Sequence, residues 1–369
     1  MRVLHFGSGN FFGGVETVLL TLAKYRELCA EMHPEFAVCF EGRLSEELKA
    51  LQVPVHNLGN VRILNPKMVR EARKVLKKIL ANQKYDLAVT HSMWLQAIFG
   101  RVIIKANVPL VFWEHNARER TCLAILAKMA KPDLVISVSE FVAANGLYDR
   151  SRVEVLYHPL PAVQQEIADH DRSAVRTALK LPPEMVVIVQ VSRMQAWKGH
   201  RYLIQALTKL SSMPNWICFQ VGGAQNREES QYLENLKKQV LKTGLSKRIV
   251  FLGECKNIRA MLSASDIFCQ PNIQSEGFSM SFLEAASSGL PIVTSNIGSA
   301  VESVDANSGI LVRPRDSQAL ANALSKLIIE KPLRHKMGEH SRLRIHELCD
   351  PKRQMRKLGK ILTSLTQSK

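Results

Sequence analysis

At 369 residues the chain exceeds what one hydrophobic core usually serves, and two domains are expected. Its 46% apolar and 22% charged residues are ordinary for a globular protein; no apolar run has transmembrane length and the first residues do not read as a secretory leader, so a cytoplasmic location is expected. Fifty Lys+Arg against 33 Asp+Glu leave a net charge of +17, which favours anionic partners: phosphorylated ligands, an acidic membrane surface or nucleic acid.

Short apolar segments alternate with helical ones along the chain. Strands are expected at residues 3–6, 36–40, 53–57, 87–90, 110–114, 134–138 and 153–156, with helices at 15–28 and 66–82 and between most of the later strands. Two prolines close together, Pro159 and Pro161 in Tyr157-His158-Pro159-Leu160-Pro161, break the rhythm and suit an extended linker. A second series follows: strands at 186–191, 217–221, 249–252, 267–270 and 292–294, with helices at 200–210, 229–243, 257–263 and 282–288. The pattern predicts an α/β protein of two Rossmann-like, doubly wound parallel-sheet domains, over residues 1–160 and 161–349, facing a central cleft at the carboxyl ends of their strands. Seven scattered cysteines without a CxxC pair read as reduced thiols and not as a disulfide framework or zinc site.

The sharpest motif is Glu276-Gly277-Phe278-Ser279-Met280-Ser281-Phe282-Leu283-Glu284, two carboxylates eight residues apart across a glycine turn that feeds a helix. Such an arrangement can grip the hydroxyls of a sugar and of a ribose, while the backbone N–H groups of Gly277, Phe278, Ser279 and Met280 face a phosphate at the helix start. Ser281-Phe282-Leu283-Glu284 equally fits a capping box, which would make Glu284 a cap and not a ligand. Arg193 and Lys198 follow the first strand of the second series and should point into the cleft; on their own, two isolated basic residues there read as surface charges. Asp169-His170-Asp171 is not at a strand end and reads as solvated surface, so no metal site is expected. Gly7-Ser8-Gly9-Asn10-Phe11-Phe12-Gly13-Gly14 approximates a dinucleotide fingerprint, with Glu41 available as a ribose acid, but its third glycine comes one residue too late. His115 ends a strand and should emerge at the cleft with Glu114 beside it, and Ser139 is placed to cap a helix.

Glu276 and Glu284 reproduce the E-x7-E signature of retaining glycosyltransferases with the GT-B fold. The continuation Ala285-Ala286-Ser287-Ser288-Gly289-Leu290-Pro291-Ile292-Val293 also resembles that group. The match extends over most of the chain, which resembles glycosyltransferase family 4. The resemblance implies that Glu276 contacts sugar hydroxyls, Glu284 the ribose, and Arg193 and Lys198 the diphosphate. It implies further that Gly13 and Gly14 approach the donor phosphate with their backbone and that His115 contacts the donor sugar or its leaving phosphate; Glu16, on its own, reads as a helix-start charge. No cofactor or metal is implied; the partners are a nucleotide-sugar donor, of the UDP or GDP class, and a glycan or lipid-linked acceptor, with no nucleic acid. The resemblance also has the C-terminal helix, residues 350–369, cross back to the first domain. The chain departs from family members that carry Asn-Gly after the hinge proline, having Pro159-Leu160, which leaves hinge geometry open.

One helix stands out by charge. Over residues 62–84 there are eight basic residues and one acidic. Wound at about 100° per residue, Met68, Val69, Ala72, Val75, Leu76, Ile79 and Leu80 share one arc and Lys67, Arg70, Arg73, Lys74, Lys77 and Lys78 the other. The basic arc is either a solvated face or a docking surface for an anionic membrane, and a second cluster at Lys352, Arg353, Arg356, Lys357 and Lys360 could extend it. Two rivals remain on sequence grounds: an NAD(P)-dependent Rossmann oxidoreductase, which leaves Glu276, Glu284, Arg193 and Lys198 without a purpose, and a non-catalytic nucleotide-sugar-binding subunit. A nucleic-acid-binding protein would account for the charge, but no recognised module appears and aromatics are only 6%.

Overall fold

The computed structural model describes residues 1–117, 121–160, 165–255 and 257–367, with residues 165–171 described by backbone alone. The side chains of Asp169, His170 and Asp171, and Pro161 of the linker, therefore lie outside the described residues. The chain divides into two compact units, Met1–Pro161 with Cys349–Lys369, and Ala162–Leu348.

In the first unit the order is β1 (Arg2–Gly7), α1 (Gly14–Lys24), β2 (His33–Val38), α2 (Arg43–Ala50), β3 (Val55–Asn57), α3 (Pro66–Asn82), β4 (Leu87–Thr90), α4 (Met93–Lys105), β5 (Leu110–Glu114), α5 (Cys122–Lys128), β6 (Leu134–Ser137), α6 (Glu140–Asn145) and β7 (Val153–Val155). The seven strands form one parallel sheet in the order β3-β2-β1-β4-β5-β6-β7. Strands such as Leu110-Val111-Phe112-Trp113 are apolar throughout because helices cover both faces of a parallel sheet, and all four residues are buried. The helix expected at 15–28 stops at Lys24, and Arg26–Leu28 form a separate 3-10 turn.

In the second unit come α7 (Gln165–Ala178), β8 (Val186–Val191), α8 (His200–Lys209), β9 (Trp216–Val221), α9 (Arg227–Lys242), β10 (Ile249–Gly253), α10 (Ile258–Ser263), β11 (Ile267–Gln270), α11 (Met280–Ser287), β12 (Ile292–Ser295), α12 (Ala300–Ser303), β13 (Gly309–Val312), α13 (Ser317–Ile329) and α14 (Lys331–Cys349). Its parallel sheet runs β10-β9-β8-β11-β12-β13. Strand β13, absent from the sequence reading, is a short Gly-Ile-Leu-Val edge strand paired with β12. Both sheets reverse order beside their first strand, and open α/β sheets bind ligands at such a switch point.

The last helix, α15 (Pro351–Gln367), belongs to the first unit. Gly359 lies against the segment after α1, where an added Cβ would meet Glu31 Oε2 at 2.9 Å and Cys29 Sγ at 3.1 Å. The segment read as a linker is packed: His158 is 3% exposed, and Leu160 N–H donates to Cys349 O at 2.8 Å.

Candidate active site

In the second unit, Lys198 and Glu276 come from distant segments and meet. Lys198 lies in a 3-10 turn after β8 and is followed by Gly199, whose φ is +79°. A Cβ there would lie 1.9 Å from Pro271 O, so only glycine lets this turn press against the loop after β11. Ile273 N–H donates to Trp197 O at 2.8 Å across the same seam. As a result Lys198 Nζ reaches Glu276 Oε1 at 2.6 Å while its ammonium sits 4.1 Å from the Trp197 ring centre.

The other oxygen of Glu276 is also held. Asn272 Nδ2 donates to Oε2 at 2.8 Å, and Gln270, the last residue of β11, donates to Asn272 Oδ1 at 3.0 Å and accepts from Ser281 Oγ at 3.2 Å. From the far side, Ser299 donates both its N–H (3.2 Å) and its hydroxyl (3.1 Å) to Glu276 O. The turn before it needs Gly298, at φ +64°, because a Cβ would stand 2.9 Å from Glu276 N. The carboxylate thus has a fixed direction before any ligand arrives. Asn272 and Gln270 were missed by sequence reasoning; a Gln in the otherwise apolar Ile267-Phe268-Cys269-Gln270 was the available signal.

Glu284 is in a different state. Helix α11 starts at Met280 with Ser279 as N-cap, which puts Ser281 inside the first turn and removes the capping-box geometry. No hydrogen bond among the described residues engages the Glu284 carboxyl, and burial pushes its pKa up to about 7. A half-buried carboxyl without a donor is a poor structural element and a good ligand for a diol. The N-cap Ser279 shares its hydroxyl with Ser281 (3.1 Å) and makes no cap bond, and the N–H groups of Met280 and Ser281 find no acceptor among the described residues. The Phe278 side chain and Gly277 are buried, which leaves mainly their backbone for a ligand.

Arg193 follows β8, as expected, but its Nη2 pairs with Glu229 of α9, a residue the sequence reading did not single out. Glu229 also accepts Gln225 N–H at 2.8 Å, and its own N–H is capped by Asn226 at 2.9 Å, so Arg193 is oriented by the amino end of α9.

In the first unit, Gly13 is the N-cap of α1 and Gly14 its exposed first residue. Glu16 turns back to accept Gly13 N–H at 3.1 Å, the helix-start role expected of it. Glu41, the ribose acid of the oxidoreductase reading, is exposed and paired with Lys49 at 3.6 Å. Glu114 is buried and accepts Leu147 N–H at 2.6 Å, with its pKa pushed up to about 7 by burial; it braces the end of α6 and is not turned toward a ligand. Ser139 caps α6 by accepting Val142 N–H at 3.1 Å.

His115 does end β5, and it has company. His5 in β1, His91 after β4, His115 after β5 and His158 after β7 form a row along one edge of the sheet, with ring centres 5.2, 5.4 and 5.6 Å apart in turn. His5 Nδ1 lies 2.9 Å from His91 Nε2, and His91 Nδ1 lies 3.1 Å from His115 Nε2. Burial pushes His5 and His158 down to about 3 and holds His91 and His115 well below the usual imidazole value, so all four are neutral at physiological pH.

Comparison with known proteins decides what these parts belong to. Residues 171–344 match the family described as glycosyl transferases group 1, and residues 12–162 match glycosyltransferase family 4. This chain is a family 4 glycosyltransferase. The UDP-Gal:alpha-D-GlcNAc-diphosphoundecaprenol alpha-1,3-galactosyltransferase of Escherichia coli is 25% identical, over 90% of this chain and 89% of that one. The lipopolysaccharide core mannosyltransferase LpsB of Rhizobium meliloti is 27% identical, over 64% of this chain and 67% of that one. Among solved structures, Anabaena HepE in complex with UDP and glucose superposes with a TM-score of 0.85 at 22% identity, covering 99% of this chain and 100% of that one. The fold is GT-B, two Rossmann-like parallel-sheet domains. Membership sets the oxidoreductase reading aside. No helix among the described residues is long and apolar enough to cross a membrane.

Proposed function

We propose that this glycosyltransferase moves a hexosyl group from a UDP- or GDP-sugar to a glycan or lipid-linked acceptor, with retention of anomeric configuration and without a metal ion. The observation that carries the reading is the joining of Lys198 to Glu276 at 2.6 Å, with the unengaged carboxyl of Glu284 on the following helix. In this reading Glu284 accepts from the ribose diol and the open N–H groups at the start of α11 meet the diphosphate. Lys198 shifts toward the diphosphate charge, which releases Glu276 Oε1 for a sugar hydroxyl while Asn272 keeps the carboxylate aimed. Arg193 neutralises further charge as the diphosphate leaves. Gly13 and Gly14 admit the donor phosphate close to their backbone, and His115 contacts the donor sugar or its leaving phosphate. The acceptor oxygen attacks the anomeric carbon from the face the diphosphate leaves; the bond from carbon to the diphosphate oxygen breaks, and the acceptor proton passes to that oxygen. One relative named for lipopolysaccharide core biosynthesis and one named for a GlcNAc-diphosphoundecaprenol galactosyltransferase support the acceptor class.

The direct test is a thermal-shift panel of UDP, GDP, ADP and their hexoses in EDTA. One nucleoside diphosphate and its sugars should raise the melting temperature by mass action. Indifference to all of them would overturn the donor assignment.

The basic face of α3 supports peripheral docking on an anionic membrane. Asn65 caps the helix by accepting Met68 N–H at 3.2 Å, and Ala72 and Leu76 are buried in the core. Two residues differ from the helical-wheel expectation. Val75 is 36% exposed, and Arg73 is drawn inward to donate from Nε to Ile98 O at 2.8 Å, because neighbouring α4 packs against that side. Lys67, Arg70, Lys74, Lys77 and Lys78 remain exposed. Just ahead of them Leu64 is 96% exposed and Ile63 39%, so apolar side chains accompany the charge, as interfacial docking requires.

A further inference from the structure

The row of histidines gives His115 a property its strand-end position does not require. His5 and His91 are completely buried, and desolvation keeps both neutral, so each ring carries a single N–H. His91 uses both of its nitrogens, one toward His5 and one toward His115. With one proton to place, it donates at one end and accepts at the other. Only two arrangements of the whole chain are therefore possible.

If His91 donated from Nε2 to His5 Nδ1, the proton of His5 would sit on its Nε2. That atom is buried without a partner among the described residues. An orphaned buried N–H is rarer in folded proteins than an acceptor left bare. In the opposite arrangement His5 donates from Nδ1 to His91 Nε2, and His91 donates from Nδ1 to His115 Nε2. His5 Nε2 then carries only a bare lone pair, in a ring stacked on Phe36 at 5.5 Å. The second arrangement is favoured, and it ends at His115 with the proton on Nδ1. No hydrogen bond among the described residues engages that nitrogen. The ring is also clamped: Trp113 and His158 stack on it at 6.1 and 5.6 Å, with interplanar angles of 11° and 21°.

We infer that His5 and His91 are positioning residues that hold His115 as the neutral Nδ1–H tautomer, so that it offers a ligand oxygen a hydrogen-bond donor without a positive charge. The inference rests on the proposed contact between His115 and the donor. Its chemistry suits that contact. A phosphate oxygen can only accept, and the other tautomer would present it with a lone pair. The row does not act as a proton relay to solvent, because it ends at the buried Nε2 of His5, which has no partner among the described residues.

The test has a spectroscopic arm and a kinetic arm. In the full-length protein labelled with ¹⁵N-histidine, long-range ¹H–¹⁵N correlation should show His5, His91 and His115 as Nδ1–H between pH 6 and 8. Nε2–H or a protonated imidazolium at His115 would overturn the inference. His91→Leu should release His115 into a mixture of tautomers and lower kcat/KM about tenfold, the loss of one well-formed hydrogen bond. His91→Asn, whose amide can donate from the place of Nδ1, should restore most of it. In a His115→Ala background His91→Leu should cost nothing further, whereas equal costs in both backgrounds would mean a purely structural role. If His115→Ala itself leaves kcat/KM unchanged, the proposed contact with the donor fails, and the ¹⁵N spectrum alone then decides the tautomer.

Discussion

Glu284 should cost the free protein stability and repay it in nucleotide affinity. The folded protein holds its proton more tightly than the unfolded chain does, since burial moves the carboxyl from 4.5 to about 7. Between those values the folded state binds more protons, so the contribution of Glu284 is fully present below about pH 4.5 and is lost as pH rises through 7. At 1.36 kcal/mol per unit the displacement corresponds to about 3 kcal/mol, and solvent around a half-buried group reduces this to about 1–2 kcal/mol. Glu284→Gln removes the ionisation with little change in shape. At pH 8 the variant should melt about 2–8 °C above the parent, at roughly 2–4 °C per kcal/mol for a domain of this size. At pH 4.5 the two should coincide. The same substitution should weaken UDP- or GDP-sugar binding about 10–100-fold at pH 8, by loss of a charge-assisted hydrogen bond to the ribose. Parent affinity should rise as pH passes through 7. Calorimetry and titration across pH 4.5–8.5 check both halves. A variant no more stable than the parent at pH 8 would show that the carboxylate is satisfied in the free protein; unchanged affinity would remove it from the ribose.

If Lys198, Arg193 and the start of α11 supply the positive charge as proposed, activity should persist in excess EDTA; complete loss restored by Mg²⁺ or Mn²⁺ would remove that role. NMR of the first product formed should show the donor's anomeric configuration, and an inverted product would contradict the displacement proposed. The protein should sediment with anionic and not with neutral liposomes, less so as salt rises, and Lys74, Lys77 and Lys78 changed together to Glu should abolish sedimentation while nucleotide binding holds. Equal indifference to both vesicles would make α3 an ordinary solvated face.

Much of the fold was readable because its strands are continuous apolar runs of the kind a doubly covered parallel sheet demands. Pro66–Asn82 matched to the residue, since Asn65 and Pro66 mark its start chemically. Strand β13 escaped notice because four residues with a glycine at their head carry no period. At the candidate site, Glu276, Glu284, Arg193, Lys198 and His115 could be named from motif, strand-end position and the family resemblance. Their partners could not. Asn272 meets Glu276 only through the conformation of the loop they share, four residues apart, and Glu229 looks like any acid in the first turn of a helix until tertiary structure brings it to Arg193. The histidines show the same limit. Thr90-His91 at the end of β4 parallels Glu114-His115 at the end of β5, which was a visible hint. That His5, one turn of pleat inside β1, completes the row depends on β1 and β4 being neighbours in the sheet.

The most direct test of the central claim is release of nucleoside diphosphate from a panel of UDP- and GDP-hexoses. It is run in EDTA with glycan and polyprenyl-diphosphate-linked acceptors, comparing the parent with Glu276→Ala. The account predicts that the parent consumes one donor class in an acceptor-dependent way. Glu276→Ala should bind the nucleotide but turn over at least about a hundredfold more slowly, as loss of a group stabilising the transition state does. A parent that binds nucleotide and consumes no donor, or a Glu276→Ala variant that turns over at the parental rate, would contradict it.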